Sequence, residues 1–420
     1  MDPWSYRGGL PSLRTLLVAS FVLGCGFAPL LARSPYRKPR IRTITAFVRI
    51  EPSEPQSRIE LAVSMLRRAK AAFEQGGYEV QTIRITTQPF TQYVSDRSAT
   101  EAVGLFKNLD ALSKKDLFLL NIGPLTPADL RDPRRVELLG QALAATKVNA
   151  SLVVADEGGV EWSAVRAAAQ VIKYLEDHSP NGASNFDFAA VAMVAPLTPF
   201  FPASNHDGGG HEFSVGWEAG ALVADVMAAA NGNIEVARTL LAREFEREAR
   251  AVDAIARQVE NDSAWKYMGL DPTPAPFTDS SIAAGIEALT KAKFGSLGTL
   301  SAAAVITEAE HSISVKRVGF SGLMLPVLED PVLAERWSEG SFDLDSLLAY
   351  SAVCGTGLDT IPLPGDVSQQ QLERIIGDMA SLAFKWHKPL TARLIPAPGK
   401  KPGEQTDFGR FPNTTLQALR

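Results

Sequence analysis

From residue 42 onward, two kinds of hydrophobic pattern alternate along the chain. Five short apolar runs are rich in β-branched residues, which is typical of β-strands. These runs span residues 42–50, 78–86, 116–122, 150–155 and 186–194. Between the runs, apolar residues recur three and four positions apart, as on one face of a helix. The alternation predicts an α/β fold whose parallel strands are joined by helical crossovers.

The second half of the chain is less regular. A segment rich in Pro and Gly, 195–213, interrupts the alternation, and helical spacing then extends over about 218–259. Later strands are predicted at 321–328 and 390–395, and the stretch 351–361 is interpreted as a loop. No shift in composition marks a domain boundary within the body of the chain. We therefore expect one α/β domain over 41–396, a leader over 1–40 and a C-terminal tail over 397–420.

Composition narrows the class of protein. Of 420 residues, 45% are hydrophobic and 21% are charged, as in a soluble globular protein with a large core. The net charge is −5 and no basic stripe recurs, so we do not expect nucleic acid as a partner. Two cysteines cannot form a disulfide framework, which favours a reducing compartment.

The leader contains an apolar run over 16–32 with basic residues on both sides. Four interpretations stay open: a membrane tether, an export signal, an organellar transit peptide, or a translation start assigned too far upstream. More positive charge follows the run than precedes it, so a tether would keep the body on the cytoplasmic side. We expect a cytoplasmic or cytoplasmic-side location, with export or an organelle as the alternative.

Five longer segments contain unusual mixtures of small, aromatic and Pro residues. They are FFPASNHDGGGHEFSVGWE, LDPTPAPF, SLGTLSAAAVITEA, GFSGLMLPVLEDPVLAE and YSAVCGTGLDTIPLPGD. Together with RTIT at 42–45 and RLIPAPGKKPGE at 393–404, they resemble an uncharacterised bacterial and archaeal family called domain of unknown function seven-eleven. The resemblance extends from Arg42 to Phe411, and the chain departs from the glycine-rich ending of that family.

The resemblance implies a fold similar to the pyruvate formate-lyase-like α/β barrel. In that fold parallel strands, with helices around them, surround a central loop that bears a cysteine. It implies no activity, because none is established for the family. Glycyl-radical chemistry is not expected, since Gly409 lacks the Arg-Val-Ser-Gly-Tyr type of surroundings that such a radical requires.

The first candidate for chemistry is Cys354, the cysteine of the loop 351–361. A thiolate is a good nucleophile when a nearby cation or helix N-terminus lowers its pKa. Gly355 and Gly357 follow it and would let a substrate approach the backbone amides. The alternative is that Cys354 is a small buried hydrophobe in a tight loop.

The second candidate is the loop 205–212, NHDGGGHE. His206 and His211 suit proton transfer near neutral pH, and together with Glu212 they are candidate ligands for a divalent metal. The spacing is not HExxH, because Val215 stands where the second histidine would be. The alternative is a polar surface loop without a ligand.

The remaining candidates are charged. If a barrel forms, loops at the carboxyl ends of its strands converge, and Asp271 and Asp359 are expected there as substrate-binding carboxylates. Arg393, on a late strand, is expected to face a carboxylate or phosphate of the substrate. The alternatives are a turn or cap role for Asp271 and a structural ion pair for Arg393.

Two main hypotheses of function follow. The first is an enzyme, of the lyase or acyl-transfer type, that uses Cys354 on a small polar or anionic metabolite, with a histidine as proton carrier. The second is a non-catalytic protein that binds or senses such a metabolite on the same scaffold. A minor hypothesis makes the amphipathic segment 235–259 the contact of a homo-oligomer. The substrate and any cofactor stay unknown at this stage.

Overall fold

The structure is a computed structural model that describes residues 34–51, 55–206, 208–353, 355–409 and 411–419. The apolar run 16–32 therefore lies outside the described residues, as does Cys354. These ranges contain ten strands: β1 Arg40–Val48, β2 Val80–Thr87, β3 Leu119–Leu125, β4 Asn149–Asp156, β5 Gly159–Val160, β6 Phe188–Ala192, β7 Glu212–Glu218, β8 Lys266–Asp271, β9 Gly357–Pro364 and β10 Leu390–Ala397.

Twelve α-helices occur in the described part of the chain. They are α1 Pro55–Gln75, α2 Thr91–Val94, α3 Ala99–Asp116, α4 Arg134–Ala145, α5 Trp162–His178, α6 Gly220–Ala230, α7 Ile234–Asn261, α8 Ile282–Thr290, α9 Thr299–Ser312, α10 Pro331–Ser338, α11 Leu344–Ser351 and α12 Gln369–Trp386. None of these helices is long and apolar enough to cross a membrane.

The strands form one mixed sheet in the order β8-β7-β1-β2-β3-β4-β6-β10-β9, with β5 paired to β4. Strands β1 to β4 and β6 are a parallel block. On each side of it lies a parallel pair, β7 with β8 and β9 with β10, that runs antiparallel to the block. The prediction of an α/β fold is confirmed, and the sheet is mostly parallel with helices around it.

The two faces of the sheet differ in chemistry because successive side chains of a strand point to opposite sides. In β2, Ile83 and Ile85 belong to the large core that the sheet forms with the helices. The alternate residue Thr86 has its hydroxyl 2.6 Å from that of Ser204, in the loop on the other face. A second apolar cluster, which includes Phe200 of this loop, packs on that inner face. Helices thus cover one face, and loops cover the other.

Strand pairing does not close the sheet within the described residues, since β8 and β9 do not pair with each other. A segment without regular structure, 316–328, instead reaches both edges. Leu270 of β8 donates its amide to the carbonyl of Lys316, and the amide of Val327 donates to the carbonyl of Asp359 in β9. The strand predicted at 321–328 is therefore wrong, because this segment bonds irregularly to two different edges.

The sequence pattern predicts some helix ends well. Ser98 and Glu101 form the capping box expected at the start of α3: the Glu101 amide donates to Ser98 Oγ and the Ser98 amide donates to Glu101 Oε2. The single helical region expected over 218–259 is divided into α6 and α7, because Asn231 and Gly232 adopt positive φ between them. The strands β7, β8 and β9 are not predicted.

Candidate functional site

A cavity of about 610 Å³ lies at the amino-terminal ends of the parallel block. Arg42 lines it near the start of β1, and Leu119 and Asn149, the first residues of β3 and β4, line it as well. Asp359 of β9 and Arg393 of β10 complete its charged wall. β9 and β10 thus bring Asp359 and Arg393 to the amino-terminal ends of the parallel block, and not to the carboxyl ends where the barrel hypothesis expects the site.

Four charged side chains form a continuous ionic chain at the cavity. Glu329 Oε2 accepts from Arg42 Nη2 at 3.1 Å, and its Oε1 accepts from Arg393 Nη2 at 2.6 Å. The Nε of Arg393 then donates to Asp359 Oδ1 at 2.7 Å. All four side chains are largely buried, so these ion pairs are weakly screened by solvent. Two guanidinium groups and two carboxylates balance each other in this chain.

The same contacts set the protonation of the ionic chain. Burial raises the pKa of Asp359, Arg393 opposes this shift, and the neighbouring charge of Glu329 adds to it. Although burial lowers it, the pKa of Arg393 is raised overall by the charges of Asp359 and Glu329. Arg393 is therefore a permanent cation, whereas Asp359 takes up a proton more readily than an ordinary aspartate.

Arg84, in the middle of β2, is the cationic side chain of the cavity for which the described residues provide no carboxylate partner. Arg84 lines the cavity with only 6% of its surface exposed to solvent, and its Nε donates to Thr82 Oγ1 at 3.0 Å. The guanidinium carbon lies 4.9 Å from the centre of the Phe201 ring. Burial, and next the charge of Arg42, lower the pKa of Arg84 to about 9. The charge of Glu329 opposes this shift, but no carboxylate of the described residues forms an ion pair with Arg84.

Aromatic rings form much of the remaining cavity wall. The guanidinium of Arg42 lies 4.3 Å from the centre of the Phe277 ring, so two cations of the site are stacked on phenylalanines. Phe186 and Phe411 also line the cavity and stack on each other with centroids 4.7 Å apart. A bound molecule would therefore meet positive charge beside flat apolar surface.

Buried polar groups hold the inner loop that carries Phe201. Thr45 Oγ1 donates to the carbonyl of Pro199 at 2.9 Å, and Asn121 Nδ2 donates to the carbonyl of Pro202 at 2.7 Å. Both donors stand on the inner face of the sheet, on β1 and β3. The loop is fixed at both ends by strand side chains, so the ring beside Arg84 has a defined position.

The glycines predicted to bind substrate are close to other backbone segments. Gly355 packs against Gly322, where a Cβ on Gly355 would lie 2.6 Å from the Gly322 Cα. Gly357 has φ of 84°, and a Cβ there would lie 2.5 Å from the carbonyl oxygen of Thr391. Both positions therefore require glycine for packing, and their substrate role stays a prediction. Thr356, between them, lines a small cavity that shares Asp359 and Arg393 with the larger one.

His206 lies at the other end of β1. Its Nε2 is 3.0 Å from the carbonyl oxygen of Val48, and the amide of Gly208 donates to its Nδ1 at 3.0 Å. The ring is buried and meets Phe47 edge to face. Val48 is six residues beyond Arg42, a distance of about 20 Å along a strand. His206 is thus far from the arginine cavity, with both ring nitrogens engaged by backbone.

His211 and Glu212 differ from His206 in their surroundings. His211 is exposed and meets the Trp265 ring edge to face at 5.1 Å. Glu212 Oε2 is buried without a hydrogen-bond partner in the described part of the chain. No group of three or more His, Cys, Asp or Glu residues suited to a metal is found among the described residues. A metal role for His206, His211 and Glu212 stays a prediction.

Asp271, at the end of β8, is completely buried and does not line the cavity. Its carboxylate accepts hydrogen bonds from the hydroxyl and amide of Thr273 and from the amides of Phe320 and Ser321. Burial raises its pKa to about 6, although these hydrogen bonds oppose the shift. The structure therefore gives Asp271 a role in holding the segment 319–321, and it does not bring Asp271 and Asp359 together in the cavity.

Sequence reasoning did not single out Arg42, Arg84 or Glu329 as site residues. The signal for Arg84 is the alternation in β2, where it lies between Ile83 and Ile85. Arg42 has no such signal, because the register of β1 shifts between Ile41 and Thr43. A charged residue on the inner face of a buried strand is unusual and marks a functional or ion-paired position. Glu329 carries no comparable local signal, because its partners lie far away in sequence.

A smaller cavity of about 240 Å³ lies beside α11 and α12. Three of its four charged lining residues, Asp345, Arg374 and Asp378, are exposed. Solvent screens such charges, so we place the candidate site in the larger cavity.

Comparison with known proteins identifies the family. The family model described as Uncharacterised ACR (DUF711) matches residues 35–410. The chain belongs to this family. Three similar relatives, each named UPF0210 protein, come from Pyrobaculum islandicum, Pyrobaculum aerophilum and Desulforudis audaxviator. The Pyrobaculum islandicum protein is 29% identical over 82% of the chain and 80% of its own length. The Pyrobaculum aerophilum protein is 29% identical over 89% of the chain and 88% of its own length. The Desulforudis audaxviator protein is 32% identical over 66% of the chain and 64% of its own length.

The match confirms the resemblance inferred from the motifs. The family is uncharacterised, so membership assigns no reaction and no ligand. Any statement about function must therefore come from the cavity itself.

Proposed function

We propose that this DUF711 protein binds a small anionic metabolite in the cavity at the amino-terminal ends of β1 to β4. Arg84 carries the proposal, because it is a buried guanidinium at the cavity wall without a carboxylate partner among the described residues. Burying a charge without compensation is costly, so such a group favours a ligand of opposite charge. A carboxylate or phosphate group would supply that charge.

Geometry supports the same ligand class. A guanidinium presents N–H donors in a planar fork that matches carboxylate and phosphate oxygens. The ionic chain of Arg42, Glu329, Arg393 and Asp359 is balanced within itself, so it leaves Arg84 as the principal anion receptor. The phenylalanine rings favour a ligand whose remaining part is apolar or flat.

Calorimetric titration of the purified full chain with small carboxylates and phosphate esters tests the proposal. We expect Arg84→Gln to weaken binding by about a hundredfold, because hydrogen bonds between charged groups in a buried site are strong. Arg84→Lys keeps the charge without the fork and should lose less. Arg68→Gln removes an exposed arginine of α1 and is the matched control. Equal affinity of the wild-type and Arg84→Gln proteins would refute the proposal.

A second candidate function is catalysis in the same cavity by Cys354, as a lyase or an acyl transferase. One observation favours it: residues that follow Cys354 in sequence line the cavities, Thr356 the small one and Asp359 both. In acyl transfer the thiolate would attack the carbonyl carbon of a thioester substrate, form a new thioester and release the substrate thiolate, which takes up a proton. Asp359, whose pKa burial raises, would be the proton donor.

Substitution of Cys354 separates binding from catalysis. In a turnover screen of acids and acyl thioesters, we expect Cys354→Ala to abolish product formation while anion binding persists. Arg84→Gln should reduce both. Product formation by the Cys354→Ala protein at the wild-type rate would exclude this mechanism, and tight binding without turnover by the wild type would favour a metabolite-binding or sensory role.

We also infer that the sheet is the wall of a barrel of the pyruvate formate-lyase-like type. The support is the segment 316–328, which hydrogen-bonds to both edge strands. Closure would protect these bonds, so the amides of Leu270, Val318 and Val327 should exchange with solvent as slowly as amides of β1. Exchange within seconds at these amides would argue for an open sheet.

A further inference from the structure

The cavity presents a hydrogen-bond acceptor as well as a cation. Asp359 is 8% exposed and lines the cavity beside Arg393. Its Oδ1 accepts from Arg393 Nε, and the backbone amide of Thr360 also donates to this carboxylate. A carboxylate offers about four acceptor sites, so these two donors do not fill it. Glu329 differs, because both of its oxygens accept from arginines. Asp359 therefore retains acceptor capacity toward the cavity.

The charges of the described lining residues limit what can bind between Arg84 and Asp359. Cationic side chains are Arg42, Arg84, Lys147 and Arg393, and anionic ones are Asp187, Glu329 and Asp359. A ligand with one negative charge neutralises this set. A zwitterion leaves the excess positive charge in place, and a dianion reverses its sign.

We infer that the ligand is a small hydroxycarboxylate, whose carboxylate binds Arg84 and whose hydroxyl group donates to Asp359. This inference rests on the proposed anion-binding function and specifies its ligand. A hydroxyl supplies the donor that Asp359 lacks without adding charge, whereas an ammonium group would add one. The apolar ring of Phe201 lies beside the Arg84 guanidinium and that of Phe277 beside the Arg42 guanidinium. These rings accommodate the rest of the ligand.

Four probes with one common phenyl body test the inference by calorimetric titration of the full chain. They are 3-phenyllactate (both enantiomers), 3-phenylpropanoate, phenylalanine and phenyl phosphate, at pH 7.5 and constant ionic strength. We expect the better enantiomer of phenyllactate to bind about tenfold more tightly than phenylpropanoate, as one hydrogen bond to a charged group would give. Phenylalanine and phenyl phosphate should bind more weakly than phenyllactate.

Asp359→Asn tests the hydroxyl contact itself. The asparagine can still accept from Arg393, but it removes one negative charge from the cavity. Phenylpropanoate should therefore bind more tightly than to the wild type, and this binding shows that the variant folds. Its preference for phenyllactate should fall below about threefold. Asp378→Asn, an exposed aspartate of α12, is the control that should keep the full preference.

The outcomes separate the two proposals. Equal binding of phenyllactate and phenylpropanoate, or a preference for phenylalanine or phenyl phosphate, would overturn the proposal of a hydroxycarboxylate ligand. The proposal of an anion site would still hold if binding of these probes depends on Arg84. A full phenyllactate preference in Asp359→Asn would likewise overturn it. If neither these probes nor lactate bind in an Arg84-dependent manner, both proposals fail.

Discussion

The buried polar groups at the two ends of β1 differ in whether the protein supplies their hydrogen-bond or ion-pair partners. At the far end, His206 is buried, but backbone groups of Val48 and Gly208 contact both ring nitrogens. At the near end, Arg84 of the adjacent strand is equally buried, and only a threonine hydroxyl of the described residues bonds to it. Asp271 resembles His206 in this respect, because backbone amides, including those of Thr273 and Phe320, donate hydrogen bonds to its carboxylate.

The difference separates groups that stabilise the fold from groups that a ligand would complete. A buried polar group with partners on its own backbone stabilises the segment that carries those partners. A buried charge without an opposite charge reduces stability and remains where binding requires it. The sequence predicts a functional site at His206 and His211, whereas the end of β1 near Arg84 has the features of a binding site.

The largest expected effect concerns the ionic chain. Glu329→Gln should lower the free energy of unfolding by about 4 kcal/mol, because it leaves the buried guanidinium groups of Arg42 and Arg393 with a single carboxylate. Urea denaturation measures this change. Glu74→Gln, which removes an exposed partner of Lys70, should cost under about 0.5 kcal/mol. Equally small losses of unfolding free energy in both variants would show that the ionic chain of Arg42, Glu329, Arg393 and Asp359 does not stabilise the fold.

Asp271 should make stability depend on pH in a definite direction. Because its pKa is about 6 in the folded protein and near 4 when unfolded, its stabilising contribution is complete below about pH 4 and is lost as the pH rises to about 6. The unfolding free energy of the wild type minus that of Asp271→Asn should fall by about 3 kcal/mol between pH 4 and 7. Chemical denaturation over this range measures it, and a difference that rises with pH would contradict the assignment.

His206→Ala should cost about 2 kcal/mol of stability, because the Val48 carbonyl and the Gly208 amide lose their partner. Anion affinity should not change, since the ring is about 20 Å from Arg42 along β1. His211→Ala, at an exposed ring of the same loop, should change stability by under about 0.5 kcal/mol. Loss of binding in His206→Ala would break the distinction between the two ends.

The smallest expected effect has the opposite sign. Arg84→Met should raise the free energy of unfolding by about 1 kcal/mol while it removes anion binding, because a buried charge without an ion-pair partner among the described residues is replaced by an apolar side chain of similar length. Urea denaturation without added anions measures the gain. Arg68→Met, on the exposed face of α1, should stay within about 0.5 kcal/mol of the wild type. A loss above about 1 kcal/mol in Arg84→Met would assign Arg84 a structural role.

The local elements were predictable where a single segment carries its own signal. The alternation in β1 and β2 predicts both strands within two residues of their observed ends, and Ser98 predicts the start of α3. β9 was missed because Gly355 and Gly357 indicate a loop over 351–361, although the strand is stabilised by pairing with β10, some thirty residues later. Pairing with a distant partner leaves no trace in the local pattern.

The sequence by itself determined which side chains of β2 face inward. Since side chains alternate with a period of two, placing Ile83 and Ile85 in the core turns Arg84 toward the inner face. Only the tertiary structure decided which charges meet there. Arg42 and Glu329 are 287 positions apart, and an ion pair depends on the final distance between its atoms and on the water excluded around them.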